Sequence, residues 1–128
     1  MEYNEAVKYQ DSHEWLLVDG DTGIVGISDY AQDSLGDVVF VEFPELGKVL
    51  KKGEAFGVVE SVKAASDVFM PVTGEIIEIN TLLSDNPEKI NQSPFDEGWI
   101  IKIKITSMDE VSSLMSAADY KEYVKGLD

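Results

Sequence analysis

Lys63 lies at the centre of the stretch with the clearest chemical signal in this sequence. From Gly57 to Gly74, the pattern predicts a strand, a tight turn with Lys63 at its tip, and a returning strand. Apolar residues flank the turn on both sides, and small or polar residues surround the tip. A lysine in this position projects from the body of the protein, so we hypothesise that its side-chain amine is where a carried group is attached.

The residues beside Lys63 set this turn apart from an ordinary surface turn. Turn positions usually hold Gly, Asn, Asp or Pro, whereas this tip reads Val62-Lys63-Ala64. Most lysines at turns are solvated surface, but an apolar Val62 at a hairpin tip has no evident packing partner. A surface that another protein recognises explains it better.

The rest of the chain offers little that could serve as an active site. There is no Cys, which excludes disulfides, thiolate nucleophiles and Cys-ligated metals. The single His, His13, is better explained as a structural residue than as a catalytic or metal-binding one. Carboxylates are so abundant that no acid–base pair stands out, and no glycine-rich phosphate loop leads into a helix. We therefore expect a non-catalytic carrier, with the chemistry supplied by an attached cofactor and by partner enzymes.

The charge balance restricts the class of partner. The formal net charge is −15, and all 10 basic residues are Lys. This balance argues against nucleic acid or an anionic membrane as a partner and favours proteins with basic docking surfaces, although the charge could equally serve solubility alone. No apolar run approaches the roughly 20 residues of a membrane span, and the N-terminus has neither a signal nor a transit peptide pattern. We expect a cytoplasmic protein, or a mitochondrial matrix protein if the chain is a mature organellar form.

The periodicity predicts many short strands and little helix. Hairpin-like alternation begins at Glu14, and a short helix is expected near residues 29–35, with Ser28 as its N-cap and Gly36 as its stop. Residues 1–12 are polar overall and are expected on the surface. The pattern predicts an all-β sandwich or small barrel that forms one domain over residues 1–128, with a monomer as the default state.

The tail from Ser107 onward changes to a helical period. Ser107 with Glu110 has the spacing of a capping box, and Ser116 with Asp119 could cap a second segment that ends at Gly126. The tail is therefore expected to be a C-terminal helical segment.

Several separated motifs together resemble the glycine cleavage system H protein family. The segment from Val59 to Asp67, followed by Met70 to Ile76, is similar to that family's lipoylation segment. The likeness extends over nearly the whole chain, in order, through the following stretches: His13-Glu14-Trp15, Gly26 to Gln32, Leu35 to Glu42, Ser93-Pro94 and Asp96 to Ile100.

The resemblance implies a barrel-sandwich hybrid fold with lipoate joined to Lys63 as an amide. It implies a carrier that takes an aminomethyl group from a pyridoxal-phosphate glycine decarboxylase to an aminomethyltransferase, and that dihydrolipoamide dehydrogenase then reoxidises. A lipoate ligase or a lipoyl/octanoyl transferase would attach the cofactor. In such a system the chain is a substrate of its partner enzymes and not an enzyme itself.

The resemblance also assigns roles to individual residues. Beside Lys63, the positions that match recognition determinants for lipoylation are Glu60, Val62 and Ala64. The positions that match the cleft where the loaded arm rests are Ser12, Glu14 and Asp67. For Glu14, an exposed carboxylate at the start of a strand remains an equally good interpretation. Some relatives have His in the short helix where this chain has Tyr30 and Ser34, so an imidazole contact with the arm is not expected here.

Three other functions remain open from the sequence. A biotin carrier would usually place Met on both sides of the lysine, whereas the neighbours here are Val62 and Ala64. A lipoyl carrier could instead relay lipoyl groups to other lipoate-dependent enzymes. A β-barrel binding module without any modification would leave the tip of the hairpin unexplained.

Overall fold

The computed structural model describes residues 1–127, and Asp128, the last residue of the predicted domain, lies outside the described residues. Strands dominate, and their bounds in chain order are β1 (Lys8–Tyr9), β2 (Glu14–Asp19), β3 (Thr22–Ile27), β4 (Val38–Glu42), β5 (Val49–Leu50), β6 (Ala55–Ser61), β7 (Ala65–Phe69), β8 (Gly74–Ile79) and β9 (Ile101–Ile105). The helices are α1 (Asp29–Leu35), α2 (Leu82–Asp85), α3 (Lys89–Gln92) and α4 (Ala117–Lys125), and a 3-10 helix covers Met108–Ser113.

The strands form two antiparallel sheets. One sheet has six strands in the order β1-β2-β3-β9-β8-β5, and the other has three in the order β4-β6-β7. In the larger sheet Trp15 lies opposite Gly26, where a Cβ atom would come within 2.6 Å of the indole ring. This fold confirms the prediction of an all-β, barrel-sandwich architecture with one short early helix and a helical C-terminal segment.

The core between the sheets follows the alternation of apolar residues along the strands. Leu16, Val25 and Ile103 are fully buried from the larger sheet, and Val59 and Val68 from the smaller one. Along β9 the apolar residues are buried while Lys102 and Lys104 point outward, as the period-two pattern predicts. Burial of these side chains is the main stabilising term for the scaffold that holds the Lys63 hairpin.

A second apolar cluster attaches α4 to the N-terminal segment. The rings of Tyr9 and Tyr120 stack with centroids 4.3 Å apart, and both residues are fully buried. Val7 and Gln10 are buried as well, so the expectation that residues 1–12 lie on the surface was wrong for these positions. Val7 is covered because α4 folds back over the chain's first residues, whereas the Gln10 side chain is covered by Glu14 and Met70.

The caps of α1 are those that the sequence predicts. Ser28 Oγ accepts a hydrogen bond from the Ala31 amide at 3.1 Å, and the helix stops at Gly36, whose φ of 86° is unfavourable for residues with a Cβ. In the same way, Ser116 Oγ caps α4 by accepting from the Asp119 amide at 3.2 Å. These local signals fix where both helices begin.

The predicted capping box at Ser107 and Glu110 was wrong. Residues 108–113 form a 3-10 helix without a side-chain cap from Ser107. Instead, the Glu110 carboxylate accepts from the Thr73 amide at 2.7 Å and from Thr73 Oγ1 at 3.1 Å. The Glu110 carboxylate thus bonds to the turn before β8, and it does not form the local capping box with Ser107.

The segment between β8 and β9 contains two short helices, α2 and α3. None of the helices within residues 1–127 has the length and apolar character needed to cross a membrane.

Candidate functional site: the Lys63 hairpin and the adjoining cleft

Strands β6 and β7 form the hairpin that presents Lys63. Val59 pairs with Ser66 and Glu60 with Ala65, which leaves residues 62–64 at the tip. Ser61 stabilises the turn by side-chain-to-backbone hydrogen bonds, as Asn or Asp does in other turns: its Oγ accepts from the amides of Lys63 and Ala64, each at 3.1 Å, and its own amide donates to the Ala64 carbonyl at 2.8 Å. The hydroxyl of Ser61 explains why a Val-Lys-Ala tip can turn at all.

The Lys63 side chain leans toward the carboxyl end of α1. Its Nζ donates to the backbone carbonyl oxygen of Ser34 at 3.0 Å, and it remains exposed to solvent. Gly36 leaves room for the lysine methylenes, since a Cβ at that position would lie 3.0 Å from Lys63 Cε. The amine is therefore accessible and sits beside a helix end that carries partial negative charge.

A cleft of about 330 Å³ lies between α1, the segment before β2 and the faces of β6 and β7. Ser34 lines this cleft, and its backbone carbonyl accepts the hydrogen bond from Lys63. The lining residues are Ser12, His13, Glu14, Ile27, Tyr30, Ala31, Ser34, Leu35, Val59, Ser66, Asp67 and Val68. The structure thus brings Asp67 to the same cleft as Ser12 and Glu14, which are distant from it in sequence.

Glu14 is buried at the base of the cleft, with 1% of its surface exposed. The alternative interpretation as an exposed carboxylate was therefore wrong. Oε1 accepts from Ser12 Oγ at 2.5 Å and from Gln10 Nε2 at 3.0 Å, and Oε2 accepts from the Phe69 amide at 3.0 Å. Burial raises the pKa of this carboxyl above its ordinary value, while the three donors partly offset that effect by stabilising the anion.

Gln10 holds Glu14 in place, and no sequence pattern indicated this role. Its Nε2 donates to Glu14 and also to the Met70 carbonyl at 3.2 Å, while its Oε1 accepts from Lys52 Nζ at 3.1 Å. A glutamine in a polar N-terminal stretch has no periodicity that indicates burial. These bonds fix the amide orientation and connect Glu14 to the residue that follows β7.

His13 also lines the cleft and is held by α4. Its Nδ1 and the Ser28 hydroxyl each lie 2.7 Å from the Tyr120 hydroxyl, and its φ of 82° is unusual for a residue with a side chain. Burial lowers the pKa of the imidazole below its usual range, and nearby Asp11 partly opposes that shift. These contacts agree with a structural role, and they join the cleft wall to the N-cap of α1.

The three candidate recognition residues all lie on the hairpin. Glu60 is half-buried, Ala64 is exposed, and Val62 has 70% of its surface exposed. None of them is needed to form the core, so each is available to a partner protein. Chemically, the site combines one projecting primary amine with an adjoining cleft that is lined by apolar and polar residues and has the Glu14 carboxylate at its base.

The chain is similar in sequence to one protein family. The family described as Glycine cleavage H-protein matches residues 7–127. The glycine cleavage system H protein of Thermus thermophilus is 54% identical over 117 residues, which are 91% of each chain. That of Halothermothrix orenii is 48% identical over 128 residues, the whole of both chains. The mitochondrial glycine cleavage system H protein of Pisum sativum is 52% identical over 97% of this chain and 75% of its own length.

A solved structure shows the same likeness in three dimensions. The crystal structure of a glycine cleavage system H protein from Mycobacterium marinum superposes with a TM-score of 0.84 at 36% identity, covering 91% of this chain and 94% of that one. Sequence and fold therefore agree over nearly the full length, and the chain belongs to the glycine cleavage H-protein family, the non-catalytic lipoyl carriers of the glycine cleavage system.

Proposed function

We propose that this chain carries lipoate as an amide on Lys63 Nζ. The observation that supports this most directly is the position of Lys63: an exposed primary amine at the tip of a hairpin, beside a cleft of about 330 Å³. An acyl arm attached to Lys63 would therefore begin next to a surface cleft. When bound, lipoate would supply a disulfide ring: its S–S bond is reduced as one sulfur takes the aminomethyl group of glycine, and the dithiol left after delivery to the next enzyme is reoxidised.

The cleft residues have a separate task, which is to shield the carried group. Glu14 is buried and hydrogen-bonded, and Asp67 and Ser12 lie nearer the solvent along the same cleft. The amine of an aminomethyl group is cationic, so carboxylates stabilise it by charge-assisted hydrogen bonds. The apolar walls, including Ile27 and Val68, exclude the water that would hydrolyse it.

Glu60, Val62 and Ala64 form the part of the hairpin that a lipoylating enzyme reads. Their exposure beside Lys63 supports this role, because such an enzyme must reach over the tip. We propose lipoate ligase or lipoyl/octanoyl transferase for this step.

The remaining partners follow from membership of the glycine cleavage system. They are the pyridoxal-phosphate glycine decarboxylase, the aminomethyltransferase and dihydrolipoamide dehydrogenase, and the carrier works in the cytoplasm or, in a mature organellar form, in the mitochondrial matrix. We further propose that residues 1–128 act as a single, monomeric domain.

Acylation of purified, unmodified protein tests this assignment. Wild type, Lys63→Arg and the matched control Lys51→Arg, at an exposed turn elsewhere, are incubated with lipoate ligase, ATP and lipoate. Wild type and Lys51→Arg should gain one lipoyl mass and then support glycine decarboxylase. Lys63→Arg should do neither, because a guanidinium is not an acyl acceptor near neutral pH. Full modification of Lys63→Arg would refute the assignment.

A further inference from the structure

Three apolar side chains beside the Lys63 tip are exposed. Val39 and Phe40 each have 53% of their surface exposed, and Val62 has 70%. We call these three residues the tip patch. Isolated exposed apolar residues are common, but a group of them at a modification site indicates a surface that is covered during function.

A β-bulge in β4 creates this exposure. Val38 pairs with Ser61 and Phe40 with Glu60, so two steps along β4 match one step along β6 and Val39 is the extra residue. Regular alternation would place Val39 and Val41 on one face. With the extra residue, Val38 and Val41 are buried at 4% and 5% while Val39 and Phe40 face solvent.

The tip patch is held next to Lys63 by backbone contacts. The Val62 amide donates to the Asp37 carbonyl at 3.0 Å, which ties the hairpin tip to the residue before β4. Because Phe40 lies opposite Glu60, the patch begins three residues from Lys63 on the neighbouring strand. A protein that holds Lys63 in its active site therefore approaches the molecule beside these side chains.

The patch has an acidic border. Asp37 and Glu42 are exposed at the two ends of the bulged segment, and Glu60 is half-buried opposite Phe40. The chain as a whole carries a formal net charge of −15. A partner surface that complements the tip patch would have an apolar centre, which contacts Phe40, surrounded by basic residues.

We propose that the tip patch is the docking surface for the enzyme that acylates Lys63, an inference that rests on the proposed function. In that step Nζ attacks an activated lipoyl group such as a lipoyl adenylate. The new C–N bond forms as the bond to AMP breaks, and the ammonium gives up two protons. This enzyme must bind around Nζ itself, whereas enzymes that act on the thiols work at the far end of a long arm. The position of the patch therefore favours the acylating enzyme as its occupant.

Kinetics of acylation test the proposal on unmodified full-length protein. Phe40→Thr and Val39→Thr keep residues that suit a strand, and Val49→Thr is the matched control because Val49 is 58% exposed on β5 of the other sheet. With purified lipoate ligase, ATP and lipoate, Phe40→Thr should lower kcat/KM for the protein by roughly five- to thirtyfold, as for a truncated interface anchor. Val49→Thr should stay within about twofold of wild type.

The outcomes separate this proposal from the proposed function. If wild type is never acylated at Lys63, the proposed function fails. If wild type is acylated and Phe40→Thr is acylated equally fast, the tip patch is not the docking surface. If variants that were lipoylated beforehand lose as much activity with glycine decarboxylase as they lose in acylation, the choice of the acylating enzyme as occupant is overturned. That choice is also overturned if wild type self-associates at high concentration and Phe40→Thr abolishes the self-association without slowing acylation.

Discussion

Lys63 Nζ donates a hydrogen bond to the backbone carbonyl oxygen of Ser34, 3.0 Å away, at the carboxyl end of α1. Ser34 also lines the cleft, so one residue connects the attachment amine with the space beside it. The contact holds the unmodified amine at the mouth of the cleft. Acylation removes the charge of Nζ and with it the attraction to the helix end.

Gly36→Ala tests whether the hydrogen bond from Lys63 to Ser34 depends on the absence of a side chain at position 36. Alanine is strained at a φ of 86°, and its Cβ would lie 3.0 Å from Lys63 Cε. Gly53→Ala is the control, because Gly53 has the same φ of 86° but no atom within 4 Å of a Cβ. Both variants should lose about 1–2 kcal/mol of stability. Only Gly36→Ala should release Lys63 from Ser34, seen as faster labelling of Lys63 by a small acylating reagent in peptide mapping; equal labelling in both variants would contradict this.

Glu14 is expected to make stability depend on pH in a defined direction. Its folded-state pKa lies above the ordinary value of 4.5, so the folded protein binds this proton more tightly than the unfolded chain does. Its contribution to stability is therefore largest below about pH 4.5 and falls as the pH rises through the folded-state pKa. Denaturant unfolding of wild type and Glu14→Gln between pH 4 and 7 measures this. The stability of wild type relative to Glu14→Gln should decrease across that range, and an increase would show that the assigned direction is wrong.

His13 can be titrated without ambiguity because it is the only histidine in the chain. Burial lowers its pKa, so the midpoint of its ring-proton NMR titration should lie below 6.5. The stability that neutral His13 contributes is present above pH 6.5 and is lost as the pH falls through the folded-state pKa. Asp11→Asn should lower the midpoint further, since Asp11 stabilises the imidazolium. A wild-type midpoint above 6.5 would be inconsistent with the buried ring.

Tyr120→Phe should destabilise the protein by about 1–3 kcal/mol, because it leaves His13 Nδ1 and Ser28 Oγ without their shared partner. Tyr123→Phe is the matched control on the same helix: its hydroxyl donates to the Asp11 carbonyl at an exposed site. That change should cost less than about 1 kcal/mol. Thermal unfolding of both variants distinguishes them, and equal melting temperatures would mean that the buried contact adds nothing.

The parts of this molecule that were predictable from sequence depend on local rules. The N-caps at Ser28 and Ser116 are set by side chains that reach only three residues, and the alternation in β9 is set by the pleat itself. The hairpin and the tip position of Lys63 follow from apolar runs on both sides of a short polar segment. The family motifs then supplied the functional assignment that local rules cannot give.

The features that sequence missed depend on contacts between distant segments. Glu110 does not form the predicted capping box because its carboxylate accepts hydrogen bonds from two donors of Thr73. Gln10 is buried because Glu14 and Met70 lie around its side chain. Similarly, the exposure of Phe40 requires the register of β4 against β6. No period within β4 alone reveals the extra residue.

Lipoylation of Lys63 is best measured by intact mass and peptide mapping of protein from its own lipoate-replete host. We expect a single lipoyl increment on Lys63 and none on the other nine lysines. A biotinyl increment on Lys63, or an unmodified Lys63, would contradict this expectation.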